Sequence, residues 1–179
     1  MALLGSSFPE DFRKKQFKAG AVIFTHCHFT KPPKNKYHVI CCCDPLLVLL
    51  INSDIPDFIR SNDELNRCQV ELDKKSHPFL NWDSYLNCID AHNAYDISFF
   101  NNEFDKNFDK FYRGNLSINC IRDVLQAVNS SKIMIPVYKK LITKELNKLL
   151  IVINKINRPC GGFLLPIWMV GRVGLMHWS

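Results

Sequence analysis

The residues best suited to chemistry cluster early in the chain: His26, His28, Lys31, Lys34, Lys36, His38 and Ser53. Imidazoles exchange protons near neutral pH. Lysines carry a compact positive charge, and a serine hydroxyl can donate a hydrogen bond. His26, Cys27 and His28 are the nearest approach to a metal cluster. On a strand, however, the two histidines share one face and Cys27 points to the other, and no CxxC-type pair follows to complete the four ligands of a structural zinc. Neither a metal nor a cofactor is expected. The phosphate-binding glycine loop, HExxH and GxSxG are all missing from the sequence. His77 and His92 sit in loop-like contexts, where each can be an acid, a base or a surface residue. In Asp83-Ser84-Tyr85 the serine reads either as a nucleophile or as a hydroxyl bonded to the backbone at a strand end.

These groups must be carried by short elements. Residues 17–29 are rich in β-branched and aromatic types and follow a turn at Gly20, which predicts a strand. Thr30 to Lys36 contains two prolines and three lysines and reads as an exposed basic loop. Strands are predicted at 37–43 and 46–52 around an Asp44-Pro45 turn, with briefer ones at 69–72 and 79–89. Residues 53–65 read as a loop or short helix. Phe99, Phe100, Phe104, Phe108 and Phe111 recur at helical spacing and read as a stripe packed on the sheet rather than a base-stacking surface. Ser117 can cap a helix over 117–129, and Pro136 suits the first turn of another.

Composition bounds the setting. With 179 residues, 47% apolar, the chain is long enough for one domain with a real core. Its net charge of +6 is compatible with a nucleic-acid partner without requiring one. Cys41, Cys42 and Cys43 are consecutive in a strand-like run, where neighbouring side chains point apart. All eight cysteines are therefore expected to be reduced thiols. The first fifteen residues lack an apolar run of signal-peptide length, so a cytoplasmic protein is expected. Residues 158–179 form a glycine- and tryptophan-rich apolar tail, too interrupted to read as a membrane span.

Taken in order, several segments resemble the PemK/MazF-like endoribonuclease toxins over about residues 17–131. Phe17-Lys18-Ala19-Gly20 leading to Cys27-His28-Phe29-Thr30 is similar to that family's first strand. Lys34 to Ile40 resembles its Lys-x-Arg-Pro-apolar segment, and Leu49 to Ser53 its strand ending in Thr or Ser. Trp82 to Cys88 resembles a later strand bearing a serine, and Arg113 to Ser117 a Gly-x-Leu turn before a helix. The chain departs from the family at Gly20-Ala21, where a Gly-Asp is usual, and at Lys36-Tyr37, which replaces Arg-Pro. The resemblance implies an α/β (α+β) fold, a small SH3-like curved β-barrel with flanking C-terminal helices over 17–157, between an arm at 1–16 and the tail. It implies metal-independent cleavage of single-stranded RNA, with Lys36, Ser53 and His38 catalytic and Lys31, Lys34 and His28 on the RNA. A homodimer, an antitoxin partner and no membrane go with it. The alternative is a non-catalytic barrel that binds nucleic acid or a protein.

Overall fold

A six-stranded antiparallel sheet in the order β4-β5-β3-β2-β1-β6 organises the computed structural model, which describes residues 10–93 and 95–156. Along the chain run α1 (Glu10–Gln16), β1 (Ala21–Cys27), β2 (Lys34–Cys43) and β3 (Leu46–Asn52). The short helices α2 (Asp57–Arg60) and α3 (Asp63–Asn66) lead to β4 (Gln69–Leu72) and β5 (Ser84–His92). Then follow α4 (Ile97–Lys106), α5 (Phe108–Phe111), β6 (Tyr112–Asn115), α6 (Ile118–Ser130) and α7 (Pro136–Ile156). The fold is α+β, a curled half-barrel followed by helices. Part of the arm, residues 1–9, and the tail 158–179 lie outside the described residues.

The central strands are apolar on both sides because both faces are covered. Val22, Val39, Leu49 and Leu86 face Ile121, Val124 and Val128 of α6 and Ile142 and Leu146 of α7. Their sequence neighbours Ala21, Ile23, Ile40 and Val48 turn to the opposite face, under Phe100, Phe104, Phe108 and Phe111. The phenylalanine stripe is thus core. Its rings meet edge to face, Phe104 and Phe111 with centroids 5.3 Å apart, and each fully buried ring contributes about 1.5–3 kcal/mol. Phe99 alone of the stripe stays exposed. Register shifts near Ile40/Cys42 on β2 and Val48/Leu50 on β3 bend the strands and give the sheet its curl.

Most element types follow the sequence reading, with corrections at several ends and at one strand. Residues 17–20 form a turn, not strand: Gly20 has φ of 84° and its N–H donates to Ile40 O at 2.8 Å. Lys34, Asn35 and Lys36 belong to β2, not to a loop. Their partners are Cys27, His26 and Thr25 of β1, and at this outer end of the hairpin the backbone stays paired while Lys34 is exposed and Lys36 half-buried. Arg113-Gly114, read as a turn, lies in β6, an edge strand paired with Ala21–Ile23. The predicted strand at 79–89 begins only at Ser84, and those at 46–52 and 69–72 match their predicted bounds. Among the described residues no helix is long and apolar enough to cross a membrane. The seven described cysteines are unpaired.

Candidate functional site

The start of β2, the end of β3 and the start of β5 lie side by side at one end of the sheet, because adjacent strands there run antiparallel. That arrangement gathers Lys34 and Lys36 of β2, Asn52 and Ser53 at the end of β3, and Trp82 and Ser84 at the entry to β5 around a groove of about 280 Å³. Tyr37 and Phe24 form its wall, with ring centroids 4.8 Å apart, and the Tyr37 hydroxyl donates to Phe79 O at 2.9 Å. Trp82 stands at the groove with 58% of its surface exposed. An exposed indole beside two lysines can hold a base against its ring and the neighbouring phosphate against the cations.

Lys36 is the electrostatic centre of the groove. Its Nζ donates to Asn52 Oδ1, so its position is held by the adjoining strand. Partial burial, followed by repulsion from Lys34, lowers its pKa from the ordinary lysine value. A lysine so placed both attracts phosphate and gives up a proton more readily than a solvated one. Ser53 is exposed one residue beyond Asn52. Ser84 is buried and its hydroxyl donates to Trp82 O at 3.2 Å, which is the backbone-bonding role open to it in the sequence.

The catalytic role expected of His38 does not fit its position. The side chain is 0% exposed, packs against Tyr95 and lies away from the groove lining. Its Nδ1–H donates to Lys36 O at 3.0 Å, which leaves Nε2 to accept from the Tyr95 hydroxyl at 2.7 Å. Burial pushes its pKa down to about 4, so it is neutral at physiological pH. The same hydroxyl lies 3.1 Å from His26 O, and burial raises the Tyr95 pKa. Phe29 closes over this cluster by stacking on His92 at 4.6 Å. His38 therefore braces β2 from within.

Of the six residues expected at the site, Lys34, Lys36 and Ser53 meet in the groove and His38, His28 and Lys31 do not line it. His28 is exposed and sets its ring edge-on to Phe29 and Tyr95 at 5.4 and 5.5 Å. Lys31 lies on the exposed β1–β2 turn. His77 is structural: Nδ1 contacts Asp73 O at 3.1 Å and Nε2 accepts from Ser117 N–H at 3.3 Å, tying the β4–β5 loop to the start of α6. Asn52 and Trp82 were missed as site residues, although each adjoins a segment already singled out, Asn52 beside Ser53 and Trp82 beside Asp83-Ser84. Among the described residues no group of three or more His, Cys, Asp or Glu is placed to hold a metal ion. No protein-family model matches the chain, and neither a curated protein nor a solved structure matches it significantly.

Proposed function

We propose that the protein is a PemK/MazF-like endoribonuclease that cleaves single-stranded RNA without a metal. The observation that carries this reading is the meeting of Lys34, Lys36 and Ser53 in one groove beside the exposed Trp82. In such a reaction a 2′-hydroxyl attacks the adjacent phosphorus and the P–O5′ bond breaks, giving a 2′,3′-cyclic phosphate and a 5′-hydroxyl. The proton on O2′ passes to water, O5′ gains one from Lys36, and water returns a proton to Lys36. Lys36, with its lowered pKa, stabilises the charge of the phosphorane and passes a proton to the leaving oxygen. Ser53 donates to a non-bridging oxygen, and Trp82 stacks a flanking base, which contributes about 1–3 kcal/mol. The family reading carries with it a homodimer, an antitoxin that covers the groove, and action in the cytoplasm.

A second reading has a specific observation behind it. Among the described residues the groove lining includes neither an imidazole nor a carboxylate, and Lys36 is already engaged with Asn52. A barrel that binds nucleic acid without cutting it fits those features. One experiment separates the two: purified protein is incubated with long single-stranded RNA in EDTA. The ribonuclease reading expects fragments ending in 2′,3′-cyclic phosphate. Intact RNA that nevertheless comigrates with the protein rejects cleavage in favour of the binding module.

A further inference from the structure

A second cleft, of about 450 Å³, opens on the other side of Phe24. β6 pairs with β1 only over Ala21–Ile23, and beyond that pairing α4 and α5 supply the wall of the cleft that faces the hairpin. The space is lined by polar groups: Thr25, His26 and Asn35 from the hairpin, Glu103 and Lys110 from the helices, and Arg113 from β6.

Charge and geometry in this cleft point to an anion. The Arg113 guanidinium lies 5.3 Å from the Phe24 ring centroid, a cation–π contact that orients the group without neutralising it. Arg113 and Lys110 are both exposed, and neither is in an ion pair among the described residues. The acidic group of the lining, Glu103, accepts from Asn107 Nδ2 at 3.0 Å. Phe24 and Asn35 line this cleft and the Lys36 groove alike, so the two are contiguous. Two cations therefore stand on each side of one aromatic ring.

We propose that this cleft is a second phosphodiester subsite, and that a single RNA strand crosses Phe24 with one phosphate at Lys34 and Lys36 and a neighbouring one at Arg113 and Lys110. The planar fork of Arg113 takes two oxygens of that phosphate at once. Lys110 adds charge, and Phe24 offers its half-buried ring between the two sites. The inference rests on the RNA reading of the groove and extends it from one phosphate to a tract.

The test is binding of 2′-O-methyl oligouridylates, which cannot cyclise, at a length of about two and of about eight nucleotides over a range of salt. Wild-type protein is expected to bind the longer strand more tightly. Arg113→Ala and Lys110→Ala each lower affinity for the longer strand about tenfold, leave the dinucleotide unaffected, and reduce the salt slope by about 0.7 for each phosphate no longer neutralised. Arg113→Lys restores part of the affinity and not all of it. If wild-type protein binds the longer strand while both alanine variants keep its affinity and salt slope, the subsite is wrong and the groove reading stands. If wild-type protein binds no RNA of either length, the groove reading falls and the subsite falls with it.

Discussion

Lys36 and His38 are two residues apart on the same strand and have opposite fates. Lys36 reaches the groove and His38 is sealed beneath Tyr95. Replacing Lys36 with alanine removes the cation nearest a bound phosphate, and RNA cleavage is expected to fall about a hundredfold, as when one transition-state donor is removed. The melting temperature should stay within a few degrees of wild type, since the side chain is half-buried and outside the core. Ser53→Ala should slow cleavage by a smaller factor. Rates and melting curves measured on the same preparations check both; a Lys36→Ala protein that cuts RNA at the wild-type rate excludes the assigned role. For His38 the prediction concerns stability. Its pKa falls from 6.5 when exposed to about 4 in the folded protein, so the unfolded chain takes up the proton first. The stabilisation from keeping it neutral is complete above pH 6.5 and is lost as pH falls towards 4. The loss amounts to about 3 kcal/mol, at about 1.4 kcal/mol for every tenfold difference in proton affinity between the folded and unfolded chain. Denaturant titrations of wild type and His38→Gln across that range should give a difference that shrinks towards acid pH, and a constant difference would refute the assignment.

At the scale of elements, most of the sheet was legible because turn residues punctuate it. Asp44-Pro45 separates two runs that pair as β2 and β3, and Gly20 precedes β1. Gly20 also shows why such punctuation is strict. Its φ of 84° is one that side chains resist, and a Cβ built there meets Leu149 Cδ2 of α7 at 3.0 Å. Gly20→Ala is therefore expected to destabilise the fold by about 1–3 kcal/mol, measurable as a lower urea midpoint with an unchanged slope. Ser117→Ala should cost about 1 kcal/mol, because its hydroxyl accepts from Cys120 N–H at 3.3 Å and caps α6. β6 was not legible. Its four residues, Tyr-Arg-Gly-Asn, have no apolar alternation, and they are strand only because β1 offers an edge to pair with.

Across the whole molecule, the cysteines follow from the two-faced core. Burial raises the pKa of Cys41 and Cys88 and pushes Cys43 up to about 11 and Cys120 to about 12. They are poor nucleophiles while the fold is intact. Under denaturing, non-reducing conditions a thiol reagent should titrate all eight, Cys160 included although it lies outside the described residues, whereas the native protein should react slowly and incompletely. Two or more thiols missing from the denatured count would mean disulfides and would contradict the reduced setting.

By itself the sequence determined the element types of the sheet core, the aromatic stripe and both long C-terminal helices, because hydrophobic period and turn chemistry are local properties carried by neighbouring residues. It also marked Lys34, Lys36 and Ser53. Tertiary structure alone decided that β3 lies between β2 and β5, which brings Trp82 to the groove that holds Lys36 and Asn52. It alone decided that His38 is covered, since the covering group, Tyr95, lies 57 positions away in the chain. Strand order and the choice of which polar residue is buried depend on contacts between distant segments, and no local spacing encodes them.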